Sequence, residues 1–278
     1  MLKKSVNTLL AWFAGLSLAL ASLAGCHRSS EDAGELKVGT IAGPETILME
    51  VAKDVAAKKY NLMVKIIEFS DYAVPNAALS DGSIDANVFQ HQPYLNQVIA
   101  AKHYKFVSVG KTFVYPMGLY SKKLKDIREI PNGAIIALPN DPSNEARALI
   151  LLAKSGLISI DPHINSIEAT PGDIKENPRH LVFKELNAAQ LSRILPEVDI
   201  AAINSNYAIP EGLSPSHDAL VIEDPDSVYA NIIVVRTKDQ DDPRFKSLVS
   251  ALHSKEVQAK ANELFKGEAI PAWDQSKD

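Results

Sequence analysis

A single cysteine, Cys26, stands in 278 residues. That scarcity excludes a disulfide framework and a thiolate metal cluster, so stability has to come from burying apolar surface. A surplus of basic charge is also missing. Against 29 lysines and arginines stand 34 acids, a formal charge of −5, and nucleic-acid binding needs a basic face. Motifs of the common catalytic sites are absent too: there is no HExxH, no GxSxG and no P-loop. Ser108-Val109-Gly110-Lys111 spells S-x-x-K, but it falls in an expected strand and lacks the partner motifs of that chemistry. The seven histidines are scattered, and none has a neighbour at ligand spacing, so no metal site is expected. No internal repeat breaks the chain into units.

What is present begins at the N-terminus. Lys3 and Lys4 precede an apolar stretch from Leu9 to Leu20, which leads to Leu23-Ala24-Gly25-Cys26. A charged start, an apolar middle and a small-residue exit is the layout of an export signal. The apolar run is shorter than the ~20 residues a structural membrane span requires. Leu-Ala-Gly-Cys resembles a bacterial lipobox, in which cleavage leaves Cys26 first and lipidates its thiol. Residues 1–25 are therefore read as a lipoprotein signal peptide, and 26–34 as a flexible tether between lipid and domain. Lipidation would also remove the one possible cysteine nucleophile. Loss of Lys3 and Lys4 with the leader takes the formal charge from −5 to −7.

From Glu35 onward strand and helix patterns alternate. Strands are expected over 36–41, 63–69, 84–89 and 106–112, with helices over 45–59, 75–80 and 93–102. An extended stretch, 113–120, is interrupted by Pro116. The rhythm then restarts with strands over 134–138, 181–186 and 199–203 and helices over 142–154 and 188–195. A nearly all-apolar last strand, 230–237, precedes two closing helices over 242–252 and 256–265. This βαβ rhythm predicts an α/β fold with mainly parallel sheets covered by helices. Two such units joined by an extended crossing predict two lobes: 35–115, 116–228, and a return to the first lobe over 229–278. The alternative is one larger α/β domain. Ligands of open α/β sheets bind beyond strand C-termini, which places a two-lobed protein's site in its cleft.

Candidate site residues cluster at those strand ends. Tyr72 follows one strand, and Phe89, His91 and Tyr94 follow the next. They suit an apolar pocket with polar handles, or ordinary core packing. Asp141 and Pro142 read as the N-cap and first residue of a helix, with Asn144 and Arg147 on one face. A cation near a helix N-terminus opposes the macrodipole unless an anion is held there; the plain alternative is an ion pair with Glu145 or another acid. Asn204 and Asn231 also sit at strand ends. Both suit a zwitterion's polar groups or a simple turn.

Longer motifs point to a family. Gly43-Pro44-Glu45, Phe69-Ser70-Asp71-Tyr72, Pro75-Asn76, DANVFQHQPYL at 85–95, PNDPSNEARALILL at 139–152, GLI at 156–158, DIKENP at 173–178 and the Ile203-Asn204 turn resemble the NlpA lipoproteins, methionine-binding lipoproteins of ABC importers. The resemblance spans nearly the whole chain after the leader. It implies a two-lobed periplasmic-binding-protein fold with a ligand cleft between lobes, no catalytic activity and no cofactor. It implies an ABC permease and ATPase as partners, and a membrane held through lipid (palmitate) on Cys26, facing the periplasm or the cell exterior. By the same resemblance Arg147 would hold the methionine carboxylate. Asn204 and Asn231 would take other polar groups, with Asn144 nearby, and Tyr72, Phe89, His91 and Tyr94 would surround the side chain. Asn206 departs from the small or β-branched residue expected in that turn. L-Methionine is the first candidate ligand; D-methionine, a Met-containing dipeptide, another apolar amino acid, or an added structural or adhesive surface role are the alternatives. Cys26→Ala is expected to abolish incorporation of a labelled fatty acid and leave the leader uncleaved by the lipoprotein route. Label retained by that variant would refute the anchor.

Overall fold

A computed structural model of the chain describes residues 34–224 and 228–273. The export signal, Cys26, most of the tether and the last five residues lie outside the described residues. Strands β1 (Leu36–Ile41), β2 (Val64–Phe69), β3 (Ala86–His91) and β4 (Phe106–Lys111) alternate with helices α1 (Pro44–Tyr60), α2 (Pro75–Asp81) and α3 (Gln92–Lys102). The crossing holds β5 (Phe113–Val114) and β6 (Gly118–Tyr120). Beyond it come β7 (Ile135–Pro139), α4 (Pro142–Lys154), β8 (Ser159–Ile160), β9 (Ile174–Glu176) and β10 (Val182–Leu186). The short α5 (Leu191–Ile194), β11 (Ile200–Ile203), α6 (Ser205–Ala208), α7 (Pro215–Asp218) and β12 (Ala219–Ile222) follow. The chain then returns through β13 (Asn231–Arg236) to α8 (Pro243–Leu252), α9 (Lys255–Leu264) and β14 (Ile270–Pro271).

Two five-stranded sheets result, in the orders β2-β1-β3-β13-β4 and β10-β7-β11-β6-β12. Neither is wholly parallel, which qualifies the parallel expectation. In the first sheet β1 pairs parallel with β2 and β3, while β13 is antiparallel to both β3 and β4. In the second, β7 pairs parallel with β10 and β11, while β6 is antiparallel to β11 and β12. One strand per sheet is reversed, and in each case it is the strand that arrives from the other sheet. The reversal follows from where the crossings leave: they run from the edge at the C-terminal ends of one sheet's parallel strands straight into the same edge of the other.

Each sheet is covered on both faces, and alternation along the strands divides its residues between two cores. Ile233 and Val235 of β13 join α1, α8 and α9 on one side. Ile232 and Val234 face α2 and α3 on the other. This explains why the strand reads as an unbroken apolar run. In the second sheet Ile136 and Leu138 pack under α4 with Leu149 and Leu152. Ala137, Ala201 and Ile203 face Leu191 and Leu195.

Several boundaries differ from the sequence expectation. β3 starts two residues later than expected, because Ile84 donates its backbone N–H to Ala78 and Asp85 caps Lys37. The helix expected over 188–195 is a 3-10 turn at Ala188–Gln190 followed by one α-turn; Asn187 caps the first, and Pro196 lies just beyond the second. A further strand, β14, follows α9 and pairs with β5.

Gly118 allows an unusual packing on β6. A Cβ there would sit 2.6 Å from the ring of Tyr120, two residues on and on the same face. Tyr120 is fully buried, and its hydroxyl finds no partner among the described residues. Gly118→Ala is expected to destabilise the fold by about 1–3 kcal/mol through overpacking. Tyr120→Phe is expected to be neutral or stabilising by up to about 1 kcal/mol, since it removes a buried unpaired group. Denaturant midpoints of the two variants check both signs.

Candidate functional site

The strand ends of both sheets converge on one narrow cavity, placed where α/β folds commonly hold small ligands. Its wall draws on both sheets: Tyr72, Phe89, His91, Tyr94 and Asn231 from the first, Asn144, Arg147, Asn204 and Asn206 from the second. Every site residue expected from the sequence therefore comes together here. Cys26 lies outside the described residues.

The aromatic side is built on β3 and the turn after β2. Phe89 and His91 are two residues apart on a strand and share a face. The Phe89 ring lies 5.8 Å from both Tyr72, tilted, and Tyr94, edge to face, and Tyr72 lies 5.2 Å from Tyr207 of the other sheet. The Tyr94 hydroxyl donates to the Tyr72 carbonyl at 3.0 Å, so its polar tip is satisfied within the wall. Beneath this wall a buried amide network of Asn76, Asn87 and Gln90 ties α2 to β3 at 2.8–3.0 Å. It fixes the strand that carries Phe89 and His91.

His91 ends β3 and caps α3. Its Nδ1 accepts the Tyr94 backbone N–H at 3.2 Å. Its Nε2 faces Asn144 Oδ1 at 3.4 Å, and that oxygen is an acceptor, since it also takes Asn204 Nδ2 at 2.9 Å. The proton therefore belongs on Nε2. Burial, helped by the nearby Arg147 charge, pushes the His91 pKa down to about 3, so the ring is neutral at any physiological pH.

The second sheet supplies the charged side. Asp141 caps α4 as expected, accepting the Asn144 backbone N–H at 3.0 Å and its side-chain Nδ2 at 2.9 Å. Pro142 holds the first helical position. Arg147, one turn in, is only 4% exposed. It is neither a surface residue nor paired with Glu145. Its Nε bonds both carboxylate oxygens of Glu223 at 2.9 and 3.1 Å, and its Nη2 bonds Glu223 and the Tyr115 carbonyl. The Tyr229 ring lies 4.6 Å below the guanidinium carbon. These bonds run through Nε and Nη2; among the described residues Nη1 makes none.

Glu45 is the site residue that sequence reasoning missed. It read as the start of α1 beside Gly43 and Pro44, where an acid is unremarkable. In the structure it is 6% exposed and lines the cavity. Asn231 Nδ2 donates to its Oε1 at 2.8 Å, while Oε2 is buried without a partner. Burial drives its pKa well above the usual carboxylate range, partly opposed by the Asn231 bond. Asn231 is brought there by the reversal of β13, whose first residue pairs with His91. Glu223 was missed as well, because it follows β12 in a stretch without periodicity. Asn204 Oδ1 and Asn206 Nδ2 are also buried without partners among the described residues. Unpaired polar atoms gathered around one cavity mark a place built to be completed by a ligand.

Bonds cross directly between the sheets' residues at this site. The Tyr72 hydroxyl donates to Asn206 Oδ1 at 2.7 Å, and the Tyr207 hydroxyl to the Ser70 carbonyl at 3.5 Å. The cavity is thus roofed on both sides. Among the described residues no group of three or more histidines, cysteines or acids stands ready for a metal.

Comparison with known proteins places this architecture. A periplasmic substrate-binding protein of an ABC transporter from Coxiella burnetii superposes with a TM-score of 0.83 at 61% identity, covering 85% of this chain and all of that one. A nutrient-binding protein from Burkholderia cenocepacia bound to methionine superposes with a TM-score of 0.84 at 48% identity, covering 86% of this chain and all of that one. The D-methionine-binding lipoprotein MetQ of Salmonella typhi is 47% identical over 93% of this chain and 96% of its own length. The fold is the two-lobed periplasmic-binding-protein fold. With residues 36–273 matched by the family model for NlpA lipoproteins, the chain belongs to the NlpA lipoprotein family.

Proposed function

We propose that this protein is a lipid-anchored binding protein, not an enzyme, that captures methionine between its two lobes and delivers it to an ABC importer. The observation that carries the reading is the polarity of the cavity: a buried guanidinium and a buried carboxyl at one side, a wall of four aromatic rings at the other. An α-amino acid with a long apolar side chain has the matching polarity. Arg147 receives the carboxylate through Nη1, Glu45 and Asn231 receive the ammonium, and Asn204 and Asn144 complete the polar shell. Tyr72, Phe89, His91 and Tyr94 enclose the thioether arm. Residues 35–115 with 229–278 form one lobe and 116–228 the other. Lipid on Cys26 holds the protein at the membrane near a permease and ATPase, facing the periplasm or cell exterior. Relatives carrying methionine or D-methionine in their names support the ligand class.

Side-chain selectivity tests the aromatic wall. Burying a methionine side chain contributes about 1.5–3 kcal/mol, and sulfur–aromatic contacts add about 0.3–1.5 kcal/mol. The polar clamp is common to every α-amino acid and cancels in a comparison. Alanine is therefore expected to bind roughly 10²-fold more weakly than methionine. Phe89→Ala is expected to weaken methionine far more than alanine. Calorimetric titration of both ligands into both proteins decides it; equal losses would make Phe89 a packing residue only.

Glu45 adds a pH dependence. Its raised pKa keeps the empty site's carboxyl protonated to higher pH than a free carboxylate. A ligand ammonium beside it favours the ionised form, so binding releases a proton. Affinity is then expected to rise with pH up to the pKa of the empty site and to level off above it. Glu45→Gln is expected to flatten that profile. The same titrations in buffers of different ionisation enthalpy report the proton released, and an unchanged profile in Glu45→Gln would remove Glu45 from the ammonium site.

A further inference from the structure

Asn206 is 5% exposed and divides its carboxamide between two surroundings. Its Oδ1 accepts the Tyr72 hydroxyl across the cleft at 2.7 Å. Its Nδ2 is buried with no partner among the described residues. The first fact dictates the second. Asn206 Oδ1 is the one acceptor of the Tyr72 hydroxyl among the described residues, and turning the amide over would make that hydroxyl the acceptor and leave its own hydrogen unpaired. The Tyr72 bond therefore holds the amide with its donor unused.

The position of that donor matters. Tyr72 belongs to the aromatic wall, 5.8 Å from Phe89 and 5.2 Å from Tyr207. Asn206 touches this wall and lines the cavity. Arg147 bonds instead to Glu223 and Tyr115, and Asn204 to Asn144. An unused donor thus lies beside the aromatic wall, which in the reading proposed above takes the ligand's side chain and would alone discriminate by shape. A buried donor left unpaired is unfavourable, and a ligand atom that accepts from it removes the penalty.

We propose that Asn206 is a specificity-determining residue that donates Nδ2–H to an acceptor atom within the ligand's side chain. The ligand class that follows is an α-amino acid of methionine length with an oxygen acceptor in its chain. Such a ligand gains from Asn206, a thioether gains less because sulfur is a weak acceptor, and a pure hydrocarbon chain gains nothing. The proposal rests on the amino-acid-binding reading above.

Three ligands of one shape test it: norleucine, methionine and O-methylhomoserine, which place CH2, S and O at the same position. Each is titrated into the wild type, Asn206→Leu, Tyr72→Phe and Tyr72→Phe/Asn206→Leu. The readout is the affinity for O-methylhomoserine relative to norleucine, so losses common to both ligands cancel. The difference in hydration between the two ligands is the same in every variant. That ratio is expected to fall about fivefold or more from wild type to Asn206→Leu, given the usual net worth of one hydrogen bond. Asn206→Leu frees the Tyr72 hydroxyl to seek the ligand oxygen itself, so the deciding comparison is Tyr72→Phe against the double variant. A fivefold fall there sustains the proposal, and a ratio unchanged within twofold overturns it while leaving the amino-acid reading intact. A wild type that binds none of the three ligands overturns both.

Discussion

The buried pair of Arg147 and Glu223 is the constraint on which the rest of this structure turns. Removing two charges from water is expensive, and the pair is tolerable only because its geometry is nearly complete. The guanidinium bonds both oxygens of Glu223, the Tyr115 carbonyl and the face of Tyr229. Glu223 in turn accepts the Met117 backbone N–H at 3.1 Å and donates its own to the Met117 carbonyl at 2.9 Å. Tyr115 and Met117 belong to the outward crossing between the sheets; Glu223 and Tyr229 belong to the return. One cation on α4 therefore ties both crossings together. The pair buried beside the cavity is also the knot at which the chain passes between sheets.

Topology places the remaining groups. Strands of one direction bring their C-terminal ends to the cavity, which accounts for Glu45 and Tyr72 after β1 and β2, for Phe89 and His91 at the end of β3, and for Asn144 and Asn204 after β7 and β11. A strand returning from the other sheet enters at this same edge, so it must run backwards and present its first residue there. That is why Asn231 stands beside His91 and bonds Glu45. The reversed strands are the geometric requirement for a chain that crosses twice at the edge that lines the cavity.

Local periodicity made most elements readable. α4 was legible because Leu149, Leu151 and Leu152 continue an apolar face behind a strong Asp141-Pro142 start. β13 was legible as a strand because both its faces are buried, but its direction was not, since direction is set by the partner strand and not by side-chain pattern. Arg147 was suspicious from its place near a helix N-terminus. Its partner was hidden, because Glu223 lies 76 residues away in a segment with no repeat of its own. Glu45 shows the opposite failure: an acid in the first turn of a helix has a satisfactory local explanation, and nothing in sequence distinguishes one that points into water from one sealed in a cavity. The wall aromatics were found because strand ends in an α/β fold are a short list of places to look.

Charge accounting inside the cavity accounts for its unpaired atoms. Arg147 is already neutralised by Glu223, His91 is neutral, and the Glu45 carboxyl resists ionisation there. Pairing and burial thus limit the net charge that these groups place in a low-dielectric interior. In the proposed reading a zwitterion, neutral as a whole, would set its carboxylate beside Arg147 and its ammonium beside Glu45, whose carboxyl would ionise as the ammonium arrives. Closure then strengthens both contacts by excluding water. An ion of either sign would have to bring its counter-charge into the interior, and a neutral apolar molecule would leave Glu45 Oε2, Asn204 Oδ1 and Asn206 Nδ2 unsatisfied. The arrangement that would admit an amino acid would therefore disfavour both.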